Sequence, residues 1–287
     1  MPLPSGTTIA GRYRIERLIG EGGMGAVYEA TNLKLHKRVA LKVLADSAPT
    51  ELGERFQREA IAASRVRHPG IVVIYDADID AGRPWIAMEL LEGESLRERL
   101  ARAPMGPEEA LAIAEHALEA LAVVHEAGIV HRDLKPDNLF LEATSHGGYQ
   151  VKLLDFGIAK VSSASLSHAT ATHTAMGTPH YLAPEQATNA KDVTPASDVY
   201  GMGVVLFELL SGQLPYTADV FGELVRQMYT NGPRKLNSVA PHVPAQLAAL
   251  VDRCLAIVPA DRPADARELL GLLRASRGAA APRVVPR

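Results

Sequence analysis

The sequence predicts an α+β protein made of a small, antiparallel β-rich lobe followed by a larger, mainly helical lobe. Residues 12–92 contain short segments in which apolar and polar residues alternate, a pattern typical of antiparallel strands. From residue 94 onward the apolar residues recur at helical spacing instead. The 287 residues are 47% hydrophobic and 22% charged, which is typical of a globular chain and not of a disordered or fibrous one.

The small lobe is predicted from five strand-like segments and one main helix. The segments are RYRIERLI, AVYEAT, VALKVL, IVVIYDA and PWIAMEL. Residues 51–67 place apolar side chains at helical spacing with charged side chains on the opposite face, and therefore predict the helix. The two lobes are expected to meet in LLEGES, residues 90–95.

The larger lobe is predicted from four helical segments, which span residues 107–128, 198–212, 244–256 and 265–276. The first is a long amphipathic segment that begins with a proline and ends with a glycine, as helices often do. The second is apolar on nearly every side, which predicts a buried helix that ends at Gly212.

Charge and cysteine content exclude several classes of function. The formal net charge is −3, so there is no electrostatic basis for binding nucleic acid. Cys254 is the single cysteine and cannot form an internal disulfide, nor a zinc site by itself. The segment before Arg12 lacks the cation and the apolar stretch of a signal peptide. We therefore expect a cytoplasmic domain. A membrane anchor beyond Arg287 in a longer natural chain stays open, because the last residues resemble a linker.

The segment Gly20–Val27 fits the pattern G-x-G-x-x-G-x-V. A dinucleotide-binding fold would need a helix after these glycines, whereas the strand-like AVYEAT follows them. The glycines are therefore predicted at the tip of a hairpin, where bare backbone can lie over phosphates. Taken alone, the pattern fits a plain hairpin equally well.

Lys42 lies inside the apolar segment VALKVL. A lysine there is either a snorkelling residue at a strand edge or a fixed cation beside phosphates, held by a carboxylate. Glu59, on the charged side of the next predicted helix, is the candidate partner for the second role.

The polar run HRDLKPDN, residues 131–138, is far more specific than either of these patterns. Its proline prevents a helix through the run, and its order of charged and amide residues is very improbable by chance. The motif DFG follows at residues 155–157, and APE at residues 183–185. With the glycine-rich segment and Lys42, these motifs resemble the protein kinase family, specifically the Hanks-type serine/threonine kinases of bacteria.

The resemblance covers residues 12 to about 275 and implies the bilobal protein kinase-like fold. The small lobe would occupy about 12–91 and the larger lobe about 92–275. Residues 1–11 would be an N-terminal extension, and residues 276–287 a linker-like tail rich in Ala, Pro and Arg.

The resemblance implies that ATP and Mg²⁺ are bound, with Mn²⁺ as a second candidate metal. Asp133 would accept the proton of the substrate hydroxyl, and Lys135 would lie near the γ-phosphate. Lys42, held by Glu59, would contact the α- and β-phosphates. The metal ligands would be Asn138 and Asp155.

The remaining ATP contacts are implied in the same way. The backbone over the phosphates would be that of Gly20, Glu21, Gly22, Gly23 and Gly25. The adenine would lie between Val27 and Ala40 on one side and Phe140 on the other. Met88 would be the gatekeeper, with hinge backbone groups from Glu89 and Leu91. Ordinary core packing is the plain alternative for these adenine positions.

The resemblance further implies activation by autophosphorylation. Residues 158–178 are rich in Ser, Thr and Ala, contain no aromatic residue and predict a mobile loop. Thr170 and Thr172 lie seven and five residues before Gly177, as the phosphorylated threonines do in similar bacterial kinases, and Thr174 is a third candidate. Three cations are expected to bind the phosphorylated loop: Arg132, Lys160 and Arg55.

Other matches concern the scaffold and the partners. Asp198 is expected to anchor the backbone of the catalytic loop, its plain alternative being a helix N-cap, and Glu185 to pair with Arg262. The expected partners are proteins carrying Ser or Thr, and other copies of the kinase itself. A back-to-back homodimer through the small lobe would use Leu33 and Asp76, and no nucleic-acid partner is expected.

Two alternatives to an active protein kinase are weighed. A pseudokinase that only binds partners would have lost the lysine or one of the two aspartates, yet Lys42, Asp133 and Asp155 are all present. A small-molecule kinase of similar fold would usually lack the complete APE segment and the Lys-Pro-x-Asn run, both of which are intact.

Overall fold

A computed structural model describes residues 2–22, 25–45, 50–145, 147–155, 179–188 and 192–280. The side chains of residues 50–52, 54, 55, 59 and 278–280 are outside the description. Within these ranges the chain forms a small lobe built on an antiparallel sheet and a larger helical lobe, as the sequence predicts.

The small lobe is a six-stranded sheet with the strand order β1-β2-β3-β4-β6-β5. The strands are β1 Thr8–Ile9, β2 Tyr13–Gly22, β3 Gly25–Asn32, β4 Lys37–Leu44, β5 Ile74–Asp80 and β6 Arg83–Met88. All five predicted strands are present. The short β1 lies inside the predicted N-terminal extension and pairs with β2.

The predicted strand at residues 71–77 begins three residues late, at Ile74. The preceding residues bond to the larger lobe instead: the Leu153 N–H donates to the Gly70 carbonyl at 2.8 Å, and the Val72 N–H to the Leu153 carbonyl at 3.1 Å. Backbone hydrogen bonds therefore join the two lobes at this point.

Helix α1, Thr50–Ala63, ends four residues before the predicted end at residue 67. The next residues form tight turns, with the Val66 N–H donating to the Ala63 carbonyl at 3.0 Å. Pro69 follows two residues after the predicted end and disfavours helical backbone at the residue before it. Phe56 and Ala60 bury the inner face of α1.

The larger lobe contains a second, three-stranded sheet and the remaining helices. The strands are β7 Gly93–Ser95, β8 Leu139–Ala143 and β9 Tyr149–Leu153. The helices are α2 Leu96–Arg102, α3 Pro107–Glu126, α4 Pro184–Thr188, α5 Pro195–Ser211, α6 Phe221–Thr230, α7 Leu236–Val239, α8 Ala245–Cys254 and α9 Ala266–Ala280. The four predicted helices correspond to α3, α5, α8 and α9. Helix α9 continues to Ala280, so the first residues of the predicted tail are helical.

Helix α5 forms the centre of the larger lobe, as its apolar composition predicts. Fourteen of its residues are buried, and Gly212 ends it in the left-handed conformation with φ 68°. Helices α3, α8 and α9 all pack against α5. The polar run 131–138 lies between α3 and β8, next to this buried scaffold. Among the described residues, no helix has both the length and the apolar content to cross a bilayer.

Candidate active site

The backbone of the loop at residues 131–138 is fixed by one buried carboxylate. Asp198, on α5, is 1% exposed. Its Oδ2 accepts the His131 N–H and its Oδ1 accepts the Arg132 N–H, both at 2.7 Å. Arg132 has the left-handed φ of 65°, which is unfavourable for a residue with a side chain. Two hydrogen bonds to a charged acceptor offset that strain, so Asp198 does more than cap its own helix.

Two polar side chains of this loop, Lys135 and Asn138, meet at Asp133. The Lys135 Nζ lies 3.0 Å from the Asp133 Oδ2, and the Asn138 Nδ2 donates to the same oxygen at 2.9 Å. The Asn138 Nδ2 also donates to the Asp133 carbonyl, at 2.7 Å. A loop with an internal proline is thus cross-linked by its own side chains, and the orientation of the Asp133 carboxylate is set before any substrate binds.

Lys42 and Asp155 join the two lobes across the site. The Lys42 Nζ, from β4, lies 2.7 Å from the Asp155 Oδ2, just after β9. The predicted pairing of Lys42 with Glu59 stays a prediction, because the Glu59 side chain lies outside the described residues. The contact with Asp155 was not predicted from the sequence.

The two predicted metal ligands are held next to each other by backbone bonds. The Leu154 N–H donates to the Asn138 carbonyl at 2.9 Å, and the His131 Nε2 contacts the Leu154 carbonyl at 2.8 Å. The Asn138 amide nitrogen already donates a hydrogen bond to Asp133, which leaves the amide oxygen Oδ1 for other partners. An amide oxygen and a carboxylate are hard donors of the kind that suit Mg²⁺ or Mn²⁺.

The glycine-rich segment forms the predicted hairpin between β2 and β3. Gly22 pairs with Gly25, while Gly23 and Met24 lie outside the described residues. Gly25 has φ 153°, and a Cβ there would lie 2.2 Å from the Val43 carbonyl oxygen. Only glycine allows this close approach of the backbone to β4.

A sequence profile of the protein kinase domain family matches residues 13–271. The chain belongs to the protein kinase domain family. This family uses ATP and a divalent metal, and both the predicted resemblance and the predicted fold class are confirmed.

Two curated relatives of this kinase domain are bacterial. Serine/threonine-protein kinase pkn2 of Myxococcus xanthus is 39% identical over 284 residues, which cover 97% of this chain and 34% of that protein. Serine/threonine-protein kinase PknA of Mycobacterium tuberculosis is 39% identical over 265 residues, which cover 90% of this chain and 59% of that protein. The kinase domain therefore spans less than two thirds of the length of either relative.

A solved structure of similar fold matches nearly the whole chain. The crystal structure of the Mycobacterium tuberculosis PknI kinase domain is similar with a TM-score of 0.77 and 31% identity, covering 96% of this chain and 100% of that one. The two-lobed architecture described above is therefore that of a kinase domain.

The predicted adenine residues of the kinase domain lie in register on the small-lobe sheet. Val27 is paired with Lys42, and Ala40 with Met88. Paired residues in antiparallel strands point to the same face, and so do residues two apart along β4. Val27, Ala40 and Lys42 therefore share one face. Phe140 lies separately, on β8 of the larger lobe.

Glu89, at the predicted hinge, is held by contacts of its side chain as well as by a backbone hydrogen bond. Its N–H donates to the Val73 carbonyl at 2.9 Å, and its Oε1 accepts the Val73 N–H at 2.8 Å. The buried Lys152 Nζ lies 2.7 Å from the same oxygen. A hinge contact with adenine from this residue would have to use the Glu89 carbonyl, with the Leu91 backbone as the second group.

The predicted ion pair of the larger lobe is present and deeply buried. Arg262 donates to both oxygens of Glu185, at 2.7 and 2.9 Å, and Ser197 Oγ donates to Glu185 at 2.7 Å. Burial by itself would raise the pKa of Glu185, but the hydrogen bonds and charge of Arg262 outweigh it and hold that pKa below 4.5.

Two connections around the loop 131–138 are not indicated by the sequence. The Gln186 side chain donates to the Arg132 carbonyl at 2.9 Å. The Tyr181 hydroxyl donates to Glu208 at 2.5 Å and accepts a bond from Arg97 at 2.6 Å. Burial and the nearby Glu208 raise the pKa of Tyr181 well above its ordinary value. These partners are far apart in sequence, and no local pattern indicates them.

The predicted phosphorylation sites Thr170, Thr172 and Thr174 lie outside the described residues, as do Lys160 and the side chain of Arg55. Arg132, the third predicted cation, is described and lies next to Asp133 in the loop. The phosphorylation sites therefore stay predictions.

Proposed function

We propose that this domain transfers the γ-phosphoryl group of ATP to serine and threonine hydroxyls of proteins. The observation that carries the proposal is the cross-linked group of Asp133, Lys135 and Asn138, which lies beside the Lys42–Asp155 pair. The two relatives described above are both named serine/threonine kinases. The lysine and both aspartates are intact, so no observation favours a pseudokinase.

Each side chain has a role that follows from its position and chemistry. The Asp133 carboxylate accepts the proton of the substrate hydroxyl and orients that hydroxyl towards the γ-phosphorus. Lys135, 3.0 Å from Asp133, carries positive charge towards the transferred group. Lys42 places a second cation at the α- and β-phosphates. The chain thus supplies positioning and charge compensation, which is what a loose phosphoryl-transfer transition state needs.

Asn138 Oδ1 and the Asp155 carboxylate are the groups that would hold Mg²⁺, or Mn²⁺ in its place. When bound, the ion neutralises charge on the phosphate oxygens. We assign the phosphates to the backbone of Gly20, Glu21, Gly22, Gly23 and Gly25. We assign the adenine to Val27, Ala40, Phe140 and Met88, with backbone contacts from Glu89 and Leu91.

The direct test is phosphoryl transfer by the purified domain. With ATP, Mg²⁺ and a generic basic protein, we expect labelled phosphate on serine and threonine and none on tyrosine. Asp155→Asn should raise the Mg²⁺ concentration needed for half-maximal activity, because it removes a hard oxygen ligand. No transfer to protein with either metal would contradict the proposal, and an unchanged metal requirement would remove Asp155 as a ligand.

We further propose that the domain activates itself by phosphorylation between molecules at Thr170 and Thr172, with Thr174 as a third site. Arg132, Lys160 and Arg55 would bind the added phosphate, which carries about −1.5 to −2 charges at neutral pH. Intact-mass analysis after incubation with ATP should show added phosphates in the wild type and none in Asp133→Asn. An active enzyme without phosphate between Ser162 and Thr174 would contradict this proposal.

We also propose a back-to-back homodimer through the small lobe, with Leu33 at the contact. Asp76 has a partner within its own chain, because the Arg12 guanidinium lies 2.9 Å from its Oδ2. The apolar contact of Leu33 would therefore contribute most of the stability of the dimer. Leu33→Asp should dissociate the dimer in sedimentation velocity, whereas Leu35→Asp, two residues along and more exposed, should not. A monomeric wild type at high micromolar concentration would contradict it.

We place the domain in the cytoplasm, because its second substrate, ATP, is available there. A fluorescent fusion of the natural full-length protein, examined with a protease-accessibility assay, tests this. Cleavage of the kinase domain from outside intact cells would contradict it.

A further inference from the structure

A second apolar core, here called the outer core, covers the face of the small-lobe sheet that points away from the predicted ATP site. Val27 and Lys42 lie on the predicted ATP face, so their neighbours along β3 and β4 point to the other face. Leu3 and Ala10 pack against the outer core from the N-terminal segment, residues 2–10. The large residues of the outer core are at most 4% exposed: Tyr13, Ile15, Tyr28, Leu41, Val43 and Trp85.

The N-terminal segment is bonded to the sheet along its length. The Gly6 N–H donates to the Ile15 carbonyl and the Ile15 N–H donates to the Thr7 carbonyl, both at 2.8 Å. Near the end of the segment, the Ala10 N–H donates to the Asp80 Oδ2 at 2.7 Å. The segment is therefore a fixed layer over the outer core.

The first residues of the N-terminal segment reach β3 beside the glycine-rich hairpin. The Leu3 N–H donates to the Tyr28 hydroxyl oxygen at 2.8 Å. Tyr28 is 2% exposed and follows Gly25 by three residues. Pro2 and Leu3 also line a cleft of about 280 Å³ that Gly22 and Gly25 line as well. The segment and the hairpin therefore border the same cleft.

The hairpin depends on its flanking strands for its direction, because glycines have little conformational preference of their own. On the β2 side, Gly20–Gly22 are exposed and gain little support from packing. On the β3 side, Ala26 and Tyr28 are buried in the outer core. The side of the hairpin that is anchored is thus the one to which Leu3 is bonded.

We propose that the N-terminal segment positions the glycine-rich hairpin for ATP, and that the hydrogen bond between Leu3 and Tyr28 is the connection. Tyr28 lies on the face opposite Val27 and touches neither adenine nor phosphate, so it is a positioning residue. Its effect must appear in the affinity for ATP and not in the proton transfer to Asp133. This inference rests on the proposed function, in which the hairpin backbone binds the phosphates.

Two changes remove the connection, one from each side. Tyr28→Phe removes the acceptor and keeps the ring in the outer core. Deletion of residues 2–6 removes the donor and leaves β1 in the chain. Tyr13→Phe is the matched control: Tyr13 is 3% exposed in the same outer core, and its hydroxyl donates to the Asp76 Oδ2 at 3.2 Å. It begins β2, at the opposite end of that strand from the hairpin.

The test is steady-state kinetics and ATP calorimetry of the purified domain, with its thermal midpoint measured in parallel. We expect Tyr28→Phe to raise the KM for ATP about threefold with an unchanged kcat, because one hydrogen bond is lost. The deletion should raise this KM by about tenfold, because the packing of Leu3 is lost as well. Tyr13→Phe should lower the thermal midpoint and keep the wild-type KM for ATP.

The combination of the two changes separates positioning from general stability. In the chain without residues 2–6 the donor is already absent, so Tyr28→Phe should add nothing further to the KM for ATP. A wild-type KM in both single variants, or the same rise in Tyr13→Phe, would overturn the proposal. A wild type that transfers no phosphate, with ATP binding that Tyr28→Phe still weakens, would instead count against the kinase function alone.

Discussion

The catalytic loop and the glycine-rich hairpin are held by different kinds of contact. The loop is fixed by buried side chains: Asp198 is 1% exposed and Asn138 6%. The hairpin is fixed by backbone pairing between β2 and β3, and the described part of its first strand, Gly20–Gly22, is exposed. The loop that we assign to the chemistry is thus held by buried side-chain contacts, whereas the hairpin that we assign to the phosphates is held by backbone pairing.

Lys42 joins the sheet that carries the hairpin to Asp155 of the larger lobe, so its removal should have the largest effect. Lys42→Met should abolish measurable phosphoryl transfer while leaving the fold intact, because the cation at the phosphates and the partner of Asp155 are lost together. Lys37→Met is the matched control on the same strand, since Lys37 is exposed and contacts Tyr75. A radiolabel assay measures phosphoryl transfer by both variants, and circular dichroism checks that they are folded. Near-normal turnover in folded Lys42→Met would remove the assigned role.

The scaffold under the catalytic loop should depend strongly on Arg262. Arg262→Ala leaves the Glu185 carboxylate buried without its cation, and breaking a buried pair in this way costs about 3–5 kcal/mol. Arg253→Ala removes an exposed pair with Glu268 and should cost at most about 1 kcal/mol. Urea unfolding of both variants measures the difference. Equal losses would mean that burial of the ion pair is not what stabilises this region.

The stabilisation from Glu185 should also depend on pH in a defined direction. Its pKa in the folded domain is lower than the ordinary 4.5, so the folded state favours the ionised form. The stabilisation of the folded state by ionised Glu185 is therefore fully present above pH 4.5. It is lost as the pH falls through the lower pKa that Glu185 has in the folded domain. The stability difference between wild type and Arg262→Ala should shrink in that acid range. A difference that is constant from pH 7 to pH 3 would contradict the assignment.

Much of the fold and of the site follows from the sequence, and the exceptions have a common cause. The alternation of apolar and polar residues predicts strands β2 to β6. The resemblance to the kinase family, which rests on the order of the motifs, predicts that Asp133, Asn138 and Asp155 belong to one site. The contact of Lys42 with Asp155 was not predicted, because no local sequence pattern indicates which residues of the two lobes lie close together. The bond from Arg97 to Tyr181 joins residues 84 positions apart for the same reason.

The glycine-rich hairpin should respond to a single methyl group. Gly25→Ala would place its Cβ against the Val43 carbonyl, at a φ that side chains rarely adopt, and such strain costs about 1–3 kcal/mol. We expect a higher KM for ATP with a smaller change in kcat. Gly222→Ala, at an exposed glycine of α6 with ordinary φ and open space around it, is the matched control. Identical kinetics for the two variants would show that backbone geometry at Gly25 does not shape the ATP site.

The most direct measurement compares Asp133→Asn with Asp137→Asn in the same loop. Asp133 is held by Lys135 and Asn138, whereas Asp137 is exposed and lies 3.5 Å from Arg97. With saturating ATP and a protein substrate, Asp133→Asn should lower kcat by at least ~10²-fold, the lower range for losing a positioned acid–base group. ATP affinity, measured by calorimetry, should change little, and Asp137→Asn should keep near wild-type kcat. A near wild-type kcat in correctly folded Asp133→Asn would contradict the assignment of Asp133 as the group that accepts the substrate proton.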